Sequence, residues 1–155
     1  MEVELAIGSF AGHPPVSIAH VRYTVLAVGK LRPPYADDAQ HYLRLLAKQA
    51  RVEVVEVADD AALARRVPRG AYVSLLDGGG TAYDSEGFAR WLEQRRQAGR
   101  DVCFVVGGAF GTALEVADHR LSLGPMTLPH RLARVVLLEQ LFRAHKILAG
   151  EPYHH

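Results

Sequence analysis

One cysteine, one tryptophan and two methionines are spread over 155 residues, and no apolar run approaches the roughly 20 residues of a membrane span. A single cysteine, Cys103, excludes an internal disulfide and fits a reducing, cytoplasmic setting. It lies inside an apolar run, so it reads as a small buried hydrophobe before a nucleophile. An excess of charge of one sign is also lacking. The net charge is +1 and the isoelectric point about 8.0, which excludes holding a nucleic acid by charge alone and leaves an RNA substrate neither demanded nor excluded. The first residues carry Glu2 and Glu4 and no basic stretch, so no secretory signal is expected. Eight histidines invite a metal, but none pair at helical i, i+4 spacing and the adjacent pair His154-His155 is terminal, so no metal site is expected. Neither a dinucleotide fingerprint nor a phosphate loop is present.

What remains is an ordinary core-forming composition, 49% hydrophobic and 23% charged, in a length that fits one domain. Residues 1–21, interrupted by Gly8, Gly12, Pro14 and Pro15, read as a loose extension, or as upstream sequence ahead of a start at Val21. Residues 22–155 form the domain. Strands are predicted over 23–28, 52–57, 71–76, 102–106 and 120–123, and helices over 34–50, 60–67, 85–97, 112–118 and 129–149. Tyr35, Ala39, Tyr42, Leu43 and Leu46 make one apolar helix face. Phe88, Trp91 and Leu92 should point inward, with Arg95 and Arg96 outward. Alternating strands and helices predict an α/β fold with a mostly parallel sheet covered on both faces. The last helix carries two apolar flanks, with Val135, Leu138, Phe142 and Ala149 on one and Leu137, Leu141, Ala144 and Leu148 on the other. Two flanks point to a second partner surface, a homodimer helix; the alternative is a helix buried on both sides within one domain.

Strand ends with bare glycine backbone are where α/β proteins hold ligands. Gly107-Gly108 ends one apolar run, and Met126-Thr127-Leu128-Pro129-His130 leads as extended pre-proline chain into the last helix. These two segments predict a small-molecule site at the carboxyl edge of the sheet. The Gly78-Gly79-Gly80 run reads as a flexible strand-to-helix connection, with a part in the site as the lesser reading. Asp77, just before it, is suited to a ribose or an amine, or to capping the next turn. His119, His130 and His145 are ambiguous.

Tyr23-Thr24-Val25-Leu26-Ala27-Val28-Gly29-Lys30, Val105-Val106-Gly107-Gly108, Met126-Thr127-Leu128-Pro129-His130, the run from Arg134 to Ala144 and the closing Pro152-Tyr153-His154 occur in order with compatible spacing. Together they resemble the ribosomal large-subunit RNA methyltransferase H family, among the SPOUT methyltransferases. The resemblance implies a C-terminal trefoil knot, a homodimer, and S-adenosylmethionine as the methyl donor. It implies methylation at N3 of pseudouridine 1915 in helix 69 of the large-subunit rRNA of the assembled ribosome. It places the donor among Leu76, Gly107, Leu123, Gly124, Pro125, Met126, Thr127 and Leu128. Tyr153 and His154 would stand by the acceptor base, from the partner chain or the same one, with His154 as proton acceptor. Arg134 and Arg143 are candidates for RNA phosphates, the alternative being salt bridges to Glu139. A non-catalytic adenosine-ligand sensor and a SPOUT methyltransferase acting on tRNA are the rival readings. Two departures stand out: residues 1–21 have no counterpart, and the segment between Val57 and Ala71 is shorter than the family pattern, which could alter ribosome docking but lies away from the donor loops.

Overall fold

Parallel strands covered on both faces need near-continuous apolar runs, and the chain supplies them. The computed structural model describes residues 21–107 and 117–153. Strands β1 (Arg22–Val28), β2 (Arg51–Val57), β3 (Tyr72–Ala82), β4 (Val102–Val106) and β5 (His119–Ser122) form one all-parallel sheet in the order β2-β1-β4-β3-β5. Helices α1 (Tyr35–Leu46), α2 (Asp60–Arg66), α3 (Ser85–Ala98) and α4 (His130–Leu148) connect and cover it. The α/β class and the five strands agree with expectation. The N-terminal extension, most of the helix expected over 112–118, and the chain path on which the expected knot depends lie outside the described residues.

Alternation along the central strands builds two cores. Val25, Ala27, Phe104 and Val106 face one side with residues of α1, α3 and α4. Leu26, Cys103 and Val105 face the other, closed by Leu63 of α2. The segment between Val57 and Ala71 therefore delivers one fully buried leucine to its face. Asp59 caps α2 by accepting the Ala62 N–H at 3.0 Å. Burial pushes the Cys103 thiol up to about 12, which keeps it protonated and unreactive.

Helix α4 packs against both α1 and α3, and Val135, Leu137, Leu138, Leu141, Phe142 and Ala144 are all buried. Most of both apolar flanks is thus buried within one chain, while Leu148 is half-buried and Ala149 exposed at the end of the helix. Arg95 and Arg96 also depart from the outward expectation. The Arg95 guanidinium lies 4.5 Å from the centre of the Tyr72 ring, a cation–π arrangement, and Arg96 pairs with Glu93 at 3.2 Å.

His145 is buried on α4 beside Tyr23, with ring centroids 5.6 Å apart. Burial, with a smaller contribution from Arg96, pulls its pKa down to about 4. An unfolded histidine titrates near pH 6.5, so between these values the unfolded chain binds more protons. Stability from this site is complete above about pH 6.5 and falls as the pH drops toward 4, by roughly 3 kcal/mol. His119, also lowered by burial and by Arg95, acts in the same direction. Thermal melts from pH 7 to pH 4 should record this loss, and His145→Gln should flatten it. A wild-type melting temperature constant across that window would contradict the assignment.

Candidate active site

All five strands run the same way, so their carboxyl ends share one edge, the place where open α/β sheets bind ligands. On this edge β3 and β5 do not pair evenly. Leu76 and Thr81 both register with Leu121, so residues 77–80 loop out as a bulge. The expected flexible glycine connection is instead an irregular part of β3. Glycine is required at Gly80 because a Cβ there would meet the Arg120 carbonyl oxygen at 2.5 Å. Asp77 anchors the bulge. Its Oδ1 accepts the Gly79 N–H at 3.1 Å and its Oδ2 accepts from the Arg120 guanidinium at 3.0 Å. These two interactions, the Gly79 N–H first, hold the carboxyl below its usual range.

The loop after β5 is organised by Ser122, whose buried hydroxyl accepts the Gly124 N–H and donates to the Gly124 carbonyl, both at 3.1 Å. Gly124 has φ +130°, open to glycine and closed to most other residues. The loop then continues through Pro125 and the 81% exposed Met126 to Pro129, which heads α4. Pro129 has no N–H to leave unpaired at the helix start.

Between these pieces lies an open-sided cavity of about 250 Å³. Leu76, Gly107, Leu123, Gly124, Pro125, Met126, Thr127 and Leu128, the eight residues singled out in the sequence for a donor, all line it. The wall also includes Asp77, Gly78, Val106, Leu121, His130 and Ala133. Of these, Asp77 had a sequence signal, as a carboxylate at a strand end, and His130 a weak one. Leu121 and Ala133 had none, because only the β5 and α4 packing brings them in. Burial, and then the nearby Arg131 and Arg134, lower the His130 pKa and keep its ring neutral. A second cavity of about 360 Å³, lined among others by Tyr83, Phe88, Val136 and Gln140, shares Leu121 and Leu123 with the first.

The remaining candidates are placed elsewhere. Tyr153 folds back on the end of α4, its ring edge-on to Phe142 at 5.1 Å with the Arg143 guanidinium 4.4 Å above it. Arg143 pairs with Glu139 at 2.7 Å. Burial, then the Glu139 carboxylate, pushes the Tyr153 phenol up to about 12. Cavity-lining Ala133 and Phe142 are nine residues apart on α4, about 13 Å along the axis. Tyr153 is not among the described residues that line the cavity. His154 lies outside the described residues.

Arg134 is a correction. It is 1% exposed, donating to Glu56 at 2.6 Å and to the Val28 and Gly29 carbonyls at 3.1 and 2.9 Å. Its guanidinium ties α4 to the ends of β1 and β2 and offers no face to a phosphate. Its carboxylate partner is Glu56 and not Glu139.

The family model described as predicted SPOUT methyltransferase matches residues 21–154. The chain belongs to the SPOUT methyltransferase family. Among curated relatives of this SPOUT chain is a protein of Rubrobacter xylanophilus, 47% identical over 154 residues, covering 86% of this chain and 98% of the relative. One of Nitratidesulfovibrio vulgaris is 43% identical over 150 residues, covering 84% and 96%. One of Gemmatimonas aurantiaca is 40% identical over 153 residues, covering 86% and 99%. Each of the three is named ribosomal RNA large subunit methyltransferase H. The described lining of the cavity combines apolar walls, bare glycine backbone and one fixed carboxylate. Among the described residues no helix is long and apolar enough to cross a membrane.

Proposed function

We propose that this chain is an S-adenosylmethionine-dependent methyltransferase acting on N3 of a pseudouridine in helix 69 of the large-subunit rRNA, in the assembled ribosome. It works as a cytoplasmic homodimer. One observation carries this reading: the residues assigned to the donor by resemblance gather around a single cavity at the sheet's carboxyl edge, in a chain whose relatives are named for large-subunit rRNA.

The cavity's chemistry fits the donor. Leu76, Leu123 and Leu128 provide apolar surface for a purine, and the backbone around Gly107 and Gly124 can approach closely enough to read its edge. No lysine or arginine occurs among the described wall residues, so nothing there repels a cation. Bound in this site, the donor supplies a methyl group on a positively charged sulfur. The protein's task is then mainly alignment and exclusion of water, because the positive charge disappears in the transfer and no strong new charge needs stabilising. The acceptor's N3 proton must leave as well, and His154 accepts it. Tyr153 keeps its own proton at neutral pH, so it orients or stacks on the base and does not deprotonate it.

The separation of Tyr153 from the cavity is the reason for two chains: the tail of one subunit completes the site of the other. Arg143, partly exposed beside Tyr153, is the remaining arginine for a phosphate, and Arg134 is withdrawn from that role.

The test is transfer of a radiolabelled methyl group to assembled ribosomes lacking the mark, to free large subunits and to bulk tRNA. Label in the large-subunit rRNA of assembled ribosomes is the expected result. Label confined to tRNA would reassign the substrate. Donor binding with no label in any acceptor would make the chain a sensor.

A further inference from the structure

A donor site faces a selection problem that the leucines and glycines cannot solve. Before transfer the ligand carries a sulfonium; afterwards it carries a neutral thioether, with every other group unchanged. Walls that read only the purine and the amino-acid end hold both forms alike. Discrimination requires a wall group that responds to the charge on sulfur.

Among the described residues lining the cavity, Asp77 is the one carboxylate. It does not arrive there as an ordinary strand residue. The looping-out of residues 77–80 against Leu121 puts Asp77 and Gly78 into the wall. The Gly79 N–H and Arg120 fix its two oxygens, and the close approach of Gly80 to the Arg120 backbone fixes the bulge itself. Arg120 pairs with Asp77 while lining a different surface depression, with Gly79 and Gly80, and not the donor cavity. The carboxylate is thus held in place ahead of binding, with its partner cation outside the cavity, and a fixed anion needs no rearrangement to favour a cationic ligand.

We propose that Asp77 makes the cavity charge-selective, favouring the sulfonium donor over its thioether product; this rests on the cavity being the donor site. The selectivity is modest. Asp77 is 38% exposed and Arg120 offsets part of its field.

Calorimetric titration of the full-length protein with S-adenosylmethionine, S-adenosylhomocysteine and sinefungin, a methyl-free analogue with an amine near the sulfonium position, tests it. In Asp77→Asn, whose amide oxygen can still accept the Gly79 N–H, the two cationic ligands should weaken roughly three- to fivefold and the thioether by less than about twofold. Arg120→Ala should shift the product-to-donor ratio of dissociation constants the opposite way. Raising the salt concentration should narrow that ratio in the wild type. Equal weakening of all three ligands in Asp77→Asn, or an unchanged ratio, overturns the proposal. A wild-type protein that binds none of the three overturns the donor reading of the cavity, and this inference with it.

Discussion

Replacing Arg134 with methionine is expected to lower the melting temperature by roughly 6–12 °C, from a loss of about 3 kcal/mol. Arg134 is 1% exposed and reaches Glu56 and the carbonyls of Val28 and Gly29. Removing it leaves two carbonyls without this donor and a carboxylate without its cation, with the Leu31 N–H at 3.1 Å still donating to that carboxylate. Glu56 is 35% exposed, so water solvates it in part, and the expected loss sits at the low end for broken buried pairs. Burial is the main influence lowering the Arg134 pKa, and Glu56 opposes it; the guanidinium is charged at neutral pH in either case, so the cost of losing its partners falls on a buried cation. Arg134→Lys should recover little, since one ammonium cannot span three acceptors in this fork geometry. Differential scanning calorimetry decides the matter: a methionine variant melting within about 2 °C of wild type would mean that these bonds add almost nothing net.

His154→Ala is expected to lower turnover at least about 100-fold while leaving donor affinity unchanged, as loss of a general base does. The pairing of the two readouts matters. A tail that merely supported the donor site would lower both. Single-turnover methylation of assembled ribosomes, run beside calorimetry with the donor, separates them. Full turnover in the variant would move the proton-accepting role elsewhere, and His130, a neutral ring already in the cavity wall, is the next residue to replace.

Much of the sheet was legible because its strands are simple. β1 and β4 are apolar on both faces, and Gly29 and Gly107 follow them directly. β3 was read too short because Gly78, Gly79 and Gly80 have no side chains and so carry no period; their place in the ladder is decided by β5, about 40 residues later. The predicted helix over 34–50 outruns α1, which ends at Leu46; the chain from Ala47 to Ala50 holds no glycine or proline to mark the stop and closes instead with turn bonds from Gln49 and Ala50 to Leu46. The segment that lines the cavity was readable from its glycines and prolines. The partner of Arg134 was not: Glu139 is near in sequence, whereas Glu56 is 78 residues away and meets Arg134 only when α4 crosses the ends of β1 and β2. The Glu139–Arg143 pair, four residues apart on one helix, is the kind of contact sequence spacing does reveal. Both flanks of α4 were visible, but not that α1 and α3 would take one each.

The two outer strands bear on how copies of this chain can meet. β2 carries Arg51, Glu53 and Glu56 along its length, and β5 is only four residues long and misregistered against its neighbour. Charged or short, irregular borders discourage another chain from adding a strand. Self-association of this protein by sheet extension, the geometry that leads on to open-ended polymers, is therefore disfavoured at both borders.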